Sequence, residues 1–408
     1  MLSASIGSAS KLFGVDPSRR DSWGYVDKKG QLKLPCRFSQ ASPFHEGFAA
    51  VNVGADPDNC MFVDKEGKPL QLIPPFSGLA RFSEGLATVY SVEQHKTVFI
   101  DAHDHSIGAF RNACDFHEGL AVVEIIVDKN GQEVEILPHK KVHTAGWKHL
   151  HGVIDKTGNY IVKPKFDCTN WHFSEGLLAV GFGSWDHRKL GYIDKDGRFT
   201  IEPRFPFASN FHDGRAMVKQ PDDSSQFAII DKQGHPIHID KYEQVSDYNE
   251  GLAPVRLHGK WGYVDTRGKL VIGCKFDKAG LFQEGLAAVS NEQNQDRSLV
   301  RVGFIDRKGK LVIPFDFIDL KGGFSNGLAA VAIKDKTRPD YWLYGYIDHS
   351  GAWAIKPIYD DAQAFSEGLA AVCAVNRSIN PDPPQGHGLP PRLSIEQYMS
   401  PIPQSTSH

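Results

Sequence analysis

The amino-acid sequence predicts an all-β fold built from a tandem repeat, and three observations carry that expectation. The first is a turn in which a short apolar stretch ends in Asp and a Gly follows three residues later. It reads Trp23-Gly24-Tyr25-Val26-Asp27-Lys28-Lys29-Gly30 and returns at Asp64, Asp155, Asp194, Asp231, Asp265, Asp306 and Asp348, with a degenerate copy at Asp101. The second is a motif of the form Phe-x-Glu-Gly-Leu-Ala-x-Val, whose aromatic falls at Phe44, Phe82, Phe116, Phe173, Phe211, Tyr248, Phe282, Phe324 and Phe365. This aromatic lies 17 or 18 residues after the turn Asp, or 15 in the degenerate copy, so nine copies keep one register. The third is that no segment shows a sustained helical period with caps.

Each copy divides into short apolar stretches separated by turn signals. In the seventh, Leu252–Leu257 alternates and reads as strand one, and Trp261–Asp265 is strand two. Asp265-Thr266-Arg267-Gly268 is a hairpin turn, with the Asp accepting from turn amides. Leu270–Ile272 is a short strand three, and Phe276–Phe282 holds a fourth strand or an irregular return. A Pro after strand three in several copies (Pro35, Pro164, Pro203, Pro314, Pro357) is expected to end the ladder there. Strands this short must pack against neighbouring repeats, with the motif aromatic and the Leu, Ala and Val behind it as the core.

The array starts at strand two, at Trp23, and finishes at strand one, at Leu369–Val372. Pairing of those ends would close a β-propeller-like ring and remove both edges. An open β-superhelix or solenoid is the alternative, and two smaller units a third arrangement. The predicted boundaries are a disordered lead-in at 1–20, the array at 21–376 with a hairpin insertion at about 120–152, and a Pro-rich disordered tail at 377–408.

The repeat resembles the WG-repeat family across roughly residues 21–376. The Trp-Gly pair stands at Trp23-Gly24 and Trp261-Gly262; its Gly is also kept at Gly152, Gly191, Gly303 and Gly345, and replaced at Met61, Val98 and Ala228. The first, fifth and seventh to ninth copies match the family well, and the second, third and sixth weakly. The resemblance implies an interaction scaffold.

Composition narrows the functional classes. The 408 residues carry 46 Lys+Arg against 49 Asp+Glu, a net charge of −3, which disfavours a nucleic-acid surface. No apolar run has the length of a membrane span or a signal peptide, so a cytoplasmic location is expected. Six Cys without a Cys-x-x-Cys pair make neither a disulfide framework nor a zinc site. The excess of Gly (39) and Phe (25) over Met (4) follows from the repeat.

The most regular polar feature is the acid before the motif Gly: Glu46, Glu84, Glu118, Glu175, Asp213, Glu250, Glu284 and Glu367, with Asn326 in its place once. Acceptors that satisfy turn amides explain it better than a cation-binding ring. Lysines and arginines of the hairpin turns are expected to form a solvated rim. His139, His143, His149 and His151 follow the insertion without zinc-ligand spacing and read as a solvated loop. Nucleophile elbows, His-Glu-x-x-His and phosphate-cradling loops are missing from the sequence.

The expected function is therefore a non-catalytic scaffold without a cofactor, compatible with a monomer, that binds a protein or peptide. Its specificity is expected in the loops of variable length after Gly119, Gly285 and Gly327. Trp171, Trp185, Trp342, Trp353, Tyr344, His143 and His149 form the candidate interaction surface. The alternative is a carbohydrate- or small-ligand-binding propeller, a hydrolase among its forms.

Overall fold

The computed structural model describes residues 21–375, except 55, 71–75, 104, 135–145, 185–186, 222–226, 241, 292–300 and 337–340. The lead-in, the tail, and most of the His-rich stretch lie outside the described residues. Among the described residues there are strands and turns and no helix. The chain divides into two compact units, Met1–Gln71 with Phe276–His408, and Leu72–Lys275.

The unit of structure is a small antiparallel sheet in which strand four of one copy joins strands one, two and three of the next. Cys168–Thr169, Leu178–Phe182, Lys189–Ile193 and Phe199–Phe205 pair in that order in the second unit. Lys278–Gln283, Leu286–Asn291, Arg301–Asp306 and Leu311–Phe317 do so in the first. The ends of the array share one sheet of the first unit. Its order is Leu32–Phe38, Asp21–Asp27, Leu369–Val375, Asp361–Ala362, and Asp21–Asp27 pairs with Leu369–Val375 along its whole length. The fold is all-β and propeller-like, and the N-terminal strand two pairs with the C-terminal strand one as closure requires.

The Trp-Gly glycine has a steric cause. Leu190 pairs with Phe205 and Tyr192 with Ile201, so Gly191 alone faces three bulged residues, Glu202, Pro203 and Arg204. A Cβ on Gly191 would lie 2.3 Å from the Ile201 carbonyl oxygen and 2.6 Å from the Pro203 nitrogen. The proline therefore does not end strand three, as the sequence suggested. It sits in the bulge of an edge strand that runs on to Phe205, where a residue without an N–H leaves no broken hydrogen bond.

The motif aromatics are core residues. Tyr192 meets Phe211 edge to face at 4.8 Å, as Tyr25 meets Phe44 and Tyr346 meets Phe365 at 4.8 and 4.7 Å. Phe211 is buried with Leu177, Ala179 and Leu190 on one side and Ala216, Val218 and Ala228 on the other, so it joins consecutive sheets. Each tyrosine hydroxyl reaches a backbone carbonyl 17 residues on: Tyr25 to Ser42 at 2.7 Å, Tyr192 to Ser209 at 2.6 Å and Tyr346 to Gln363 at 2.8 Å. That bond satisfies a phenol that would otherwise be buried without a partner.

The insertion begins as an elongated strand one. Leu120–Val127 pairs with Lys148–Asp155 over eight residues. A turn at Asp128–Gly131 then brings Val134 back, and its N–H donates to the Ile126 carbonyl at 2.8 Å.

Candidate functional site

The regular acids come first, because their number suggested a binding ring. Each stands at the first central position of a two-residue hairpin turn. Glu175, for instance, has φ 53° and precedes Gly176, while Ser174 and Leu177 exchange both backbone bonds. This is the primed turn that twisted hairpins favour. All nine residues at this position have φ between 51° and 56°. The carboxylate does not serve its own turn, as the sequence suggested. It accepts from the motif Gly of the following copy: Glu84 from Gly119 at 2.8 Å, Glu118 from Gly176 at 2.8 Å, Glu175 from Gly214 at 3.0 Å and Asp213 from Gly251 at 2.7 Å. In the first unit Glu284 bonds Gly327, Glu367 bonds Gly47, and Asn326 Oδ1 accepts from Gly368, each at 3.0 Å.

The turn lysines are drawn into the same junction. Lys156, Lys195, Lys232 and Lys65 place Nζ 3.0–3.2 Å from the carboxylates of Glu84, Glu118, Glu175 and Glu367. At these positions the solvated rim expected from sequence is instead a set of inter-repeat clamps. Partial burial raises the Glu118 carboxyl, but Lys195 and the Gly176 N–H outweigh it and hold the group below its usual range. These acids are occupied by structure.

A second set of polar residues also meets from copy to copy, without repeating one residue type. It flanks the motif aromatics in the second unit, immediately before or after each: Arg81, Asp115, His117, His172, Asn210, His212 and Asp247. These positions follow one another from copy to copy, and the fold lines them up. Arg81 Nε lies 2.6 Å from Asp115 Oδ2, the His117 and His172 rings are 5.1 Å apart, and His212 Nε2 is 4.0 Å from Asp247 Oδ2. Arg81 is exposed and the other six are half-buried.

The protonation of this row follows from its hydrogen bonds. Asn170 Nδ2 donates to the Ala208 carbonyl at 2.8 Å and to Asn210 Oδ1 at 3.2 Å. Asn210 must then turn its NH2 outward, where Nδ2 donates to His172 Nε2 at 2.8 Å. His172 is thereby a neutral acceptor at Nε2. Burial, with His117 and His212 beside it, pushes its imidazole down to about 4. In the first unit the positions before the aromatic, Pro43, Leu281, Gly323 and Ala364, are small or apolar, and those after it are His45, Gln283, Ser325 and Ser366.

The residues singled out from sequence are spread through both units. Trp171, at φ 69°, is half-buried edge-on against His151 at 5.0 Å. Its carbonyl accepts from the Cys114 thiol, which burial raises to about 12. Tyr344 is buried, with its hydroxyl on Asp319, and Trp342 packs against the same cluster. Trp353 is 37% exposed on an edge strand, edge-on to Phe317 at 5.8 Å. His149 is exposed and pairs through Nδ1 with the buried Glu124. Trp185 and His143 lie outside the described residues. Sequence reasoning passed over Glu124 and the row beside the motif aromatics. The available signal was variability inside a motif whose other positions repeat.

A family model and one solved structure with a TM-score above 0.5 agree with this architecture. The WG containing repeat matches at residues 23–55, 152–183, 191–222, 228–261, 261–294, 303–336 and 344–376, more than half of the chain. The copies turning at Asp64 and Asp101 fall outside the matches, whereas the sixth, read as weak from sequence, is among them. No curated protein matches in sequence. Among solved structures, a eukaryotic initiation factor superposes with TM-score 0.54 at 10% identity, covering 87% of this chain and 98% of that one. A puromycin hydrolase gives TM-score 0.37 at 9% identity, covering 79% and 60%. An acylaminoacyl peptidase of Pyrococcus horikoshii gives 0.38 at 11%, covering 73% and 58%. No helix among the described residues is long and apolar enough to cross a membrane.

Proposed function

The chain belongs to the WG containing repeat family, and we propose that it is a non-catalytic scaffold that binds a protein or peptide partner through the polar row of its second unit. The observation that carries this reading is the division of labour within the motif. The aromatic, the acid, the glycine and the apolar residues behind them serve packing and junctions in copy after copy. Of the ten positions flanking the aromatic in the second unit, seven carry Arg81, Asp115, His117, His172, Asn210, His212 and Asp247, which differ from one another and remain partly exposed, while Ser83 and Ser174 bond the Phe116 and Phe211 carbonyls. A rigid β array that varies side chains at one register position presents a built recognition surface.

The chemistry of the row suits binding better than catalysis. A histidine acting as base needs a free nitrogen and an affinity for protons near the working pH. His172 has its acceptor nitrogen committed to Asn210 and its imidazole pushed down to about 4. Paired groups of opposite charge and an ordered amide relay offer directional hydrogen bonds instead.

The test is capture of partners by the immobilised full chain, compared with the triple variant His117→Ala/Asn210→Ala/His212→Ala. The proposal expects specific proteins or peptides on the wild type that the variant loses. A positive glycan array beside no recovered protein, or capture indifferent to the triple variant, would overturn it.

A further inference from the structure

Of the two carboxylates in the polar row of the second unit, one has no close cation. Asp115 has Arg81 at 2.6 Å. Glu84, Glu118 and Glu175 each hold a lysine and a backbone N–H. Asp213 holds the Gly251 N–H at 2.7 Å. Asp247 faces His212 at 4.0 Å, the outer limit of an ion pair, and the Ser209 hydroxyl. Tyr192, whose own hydroxyl is spent on the Ser209 carbonyl, lies close enough for Asp247 to disfavour its ionisation.

Asp247 is the carboxylate of the row with the weaker partner, since Asp115, at 17% exposed, holds Arg81 at 2.6 Å. The Asp247 side chain is 35% exposed, against 38% for His212. Burial raises its carboxyl, and His212 and Ser209 only partly oppose the shift. A carboxylate held half out of water without a close cation costs stability. An asparagine has nearly the same shape and would not incur that cost. Elsewhere the row is balanced: Arg81 is neutralised by Asp115, and the Asn210 amide keeps His172 uncharged. Within the row, Asp247 is therefore the carboxylate without a close cation.

We propose that Asp247 is the anchor for a basic side chain, lysine or arginine, of the bound peptide, with His212 and Asn210 lining its approach. The inference rests on the scaffold reading above and names the chemistry of its partner. The bound ammonium or guanidinium supplies the cation that the fold omits, and the partial dryness of the site strengthens the pair.

The experiment uses the full chain and three labelled peptides of one neutral sequence, carrying two arginines, two glutamates or neither, followed by fluorescence anisotropy at neutral pH and low salt. The arginine peptide is expected to bind about tenfold more tightly than the glutamate peptide, and Asp247→Asn to remove most of that preference. Asp196→Asn, on an exposed turn where the carboxylate pairs with Arg198 at 2.5 Å, is expected to leave it intact. Asp247→Asn is further expected to melt no lower than the wild type, which separates a binding group from a structural one. Tighter binding of the glutamate peptide, to the histidines instead, would overturn the proposal, as would a preference unchanged in Asp247→Asn. Equal binding of all three peptides, lost in the triple variant, would remove the basic anchor and leave the peptide surface standing. Binding of none would remove both.

Discussion

Replacement of Glu175 separates the two demands placed on the acid of the hairpin turn. The residue is held at φ 53°, a left-handed conformation that costs a side-chain-bearing residue about 1–2 kcal/mol and glycine almost nothing. Against that, its carboxylate accepts from the Gly214 N–H at 3.0 Å and meets Lys232 Nζ at 3.2 Å. The hydrogen bond to a charged acceptor contributes about 1–2 kcal/mol at this partly exposed site. The ion pair, between side chains 40% and 31% exposed, contributes at most about 0.5 kcal/mol. Glu175→Ala loses both contacts and keeps the backbone strain, so it should destabilise by about 1–2 kcal/mol. Glu175→Gly loses the contacts but relieves the strain, and should fall within about 1 kcal/mol of the wild type. Glu175→Asn keeps an acceptor and tolerates the conformation, as Asn326 does with Gly368 at 3.0 Å, and should be within about 0.5 kcal/mol. Urea denaturation of the full chain, followed by tryptophan fluorescence, reads the order Asn, Gly, Ala from most to least stable. An asparagine variant as weak as the alanine variant would refute the reasoning, because the junction would then depend on charge rather than on an acceptor.

Two further outcomes follow from the geometry. Gly191→Ala places a methyl 2.3 Å from the Ile201 carbonyl oxygen with only backbone around it, so a loss of more than about 3 kcal/mol is expected in thermal unfolding; a near-neutral result would mean the bulge can open. The neutral His172 makes stability pH-dependent: its imidazole is lowered from 6.5 to about 4, so the unfolded chain takes up the proton first and stability falls as pH drops through that interval. The loss should reach up to about 3 kcal/mol and be absent in His172→Asn, and parallel pH profiles of the two proteins would contradict the assignment.

The repeat and its elements were legible in the sequence because turns and strands are local. The Asp and Gly of each hairpin turn act within five residues, as where Asp194 Oδ1 accepts from the N–H groups of Asp196 and Arg198. The partner of Glu175 is 39 residues away in Gly214, and nothing in the motif distinguishes an acceptor used at home from one used next door. The prolines misled for a related reason. Pro203 signals a broken ladder only if its N–H would have been needed, and a bulge on an edge strand removes the need. The tryptophans drew attention as large side chains, yet Trp171 and Trp342 are half-buried in packing. The row from Arg81 to Asp247 was written in the sequence but scattered over five copies, and only the stacking of sheets makes neighbours of its members.

The sheet shared by Asp21–Asp27 and Leu369–Val375 also sets an order of events during synthesis. Asp21–Asp27 has one partner, Leu32–Phe38, close behind it in the chain, but its other edge stays open until Leu369–Val375 has been made. At ordinary rates of translation that is a wait of roughly 20–70 s. An unpaired strand edge held open that long invites the wrong neighbour. Completion of this sheet thus waits for Leu369–Val375, and a message truncated before Leu369 would yield a chain without the strand that covers this edge.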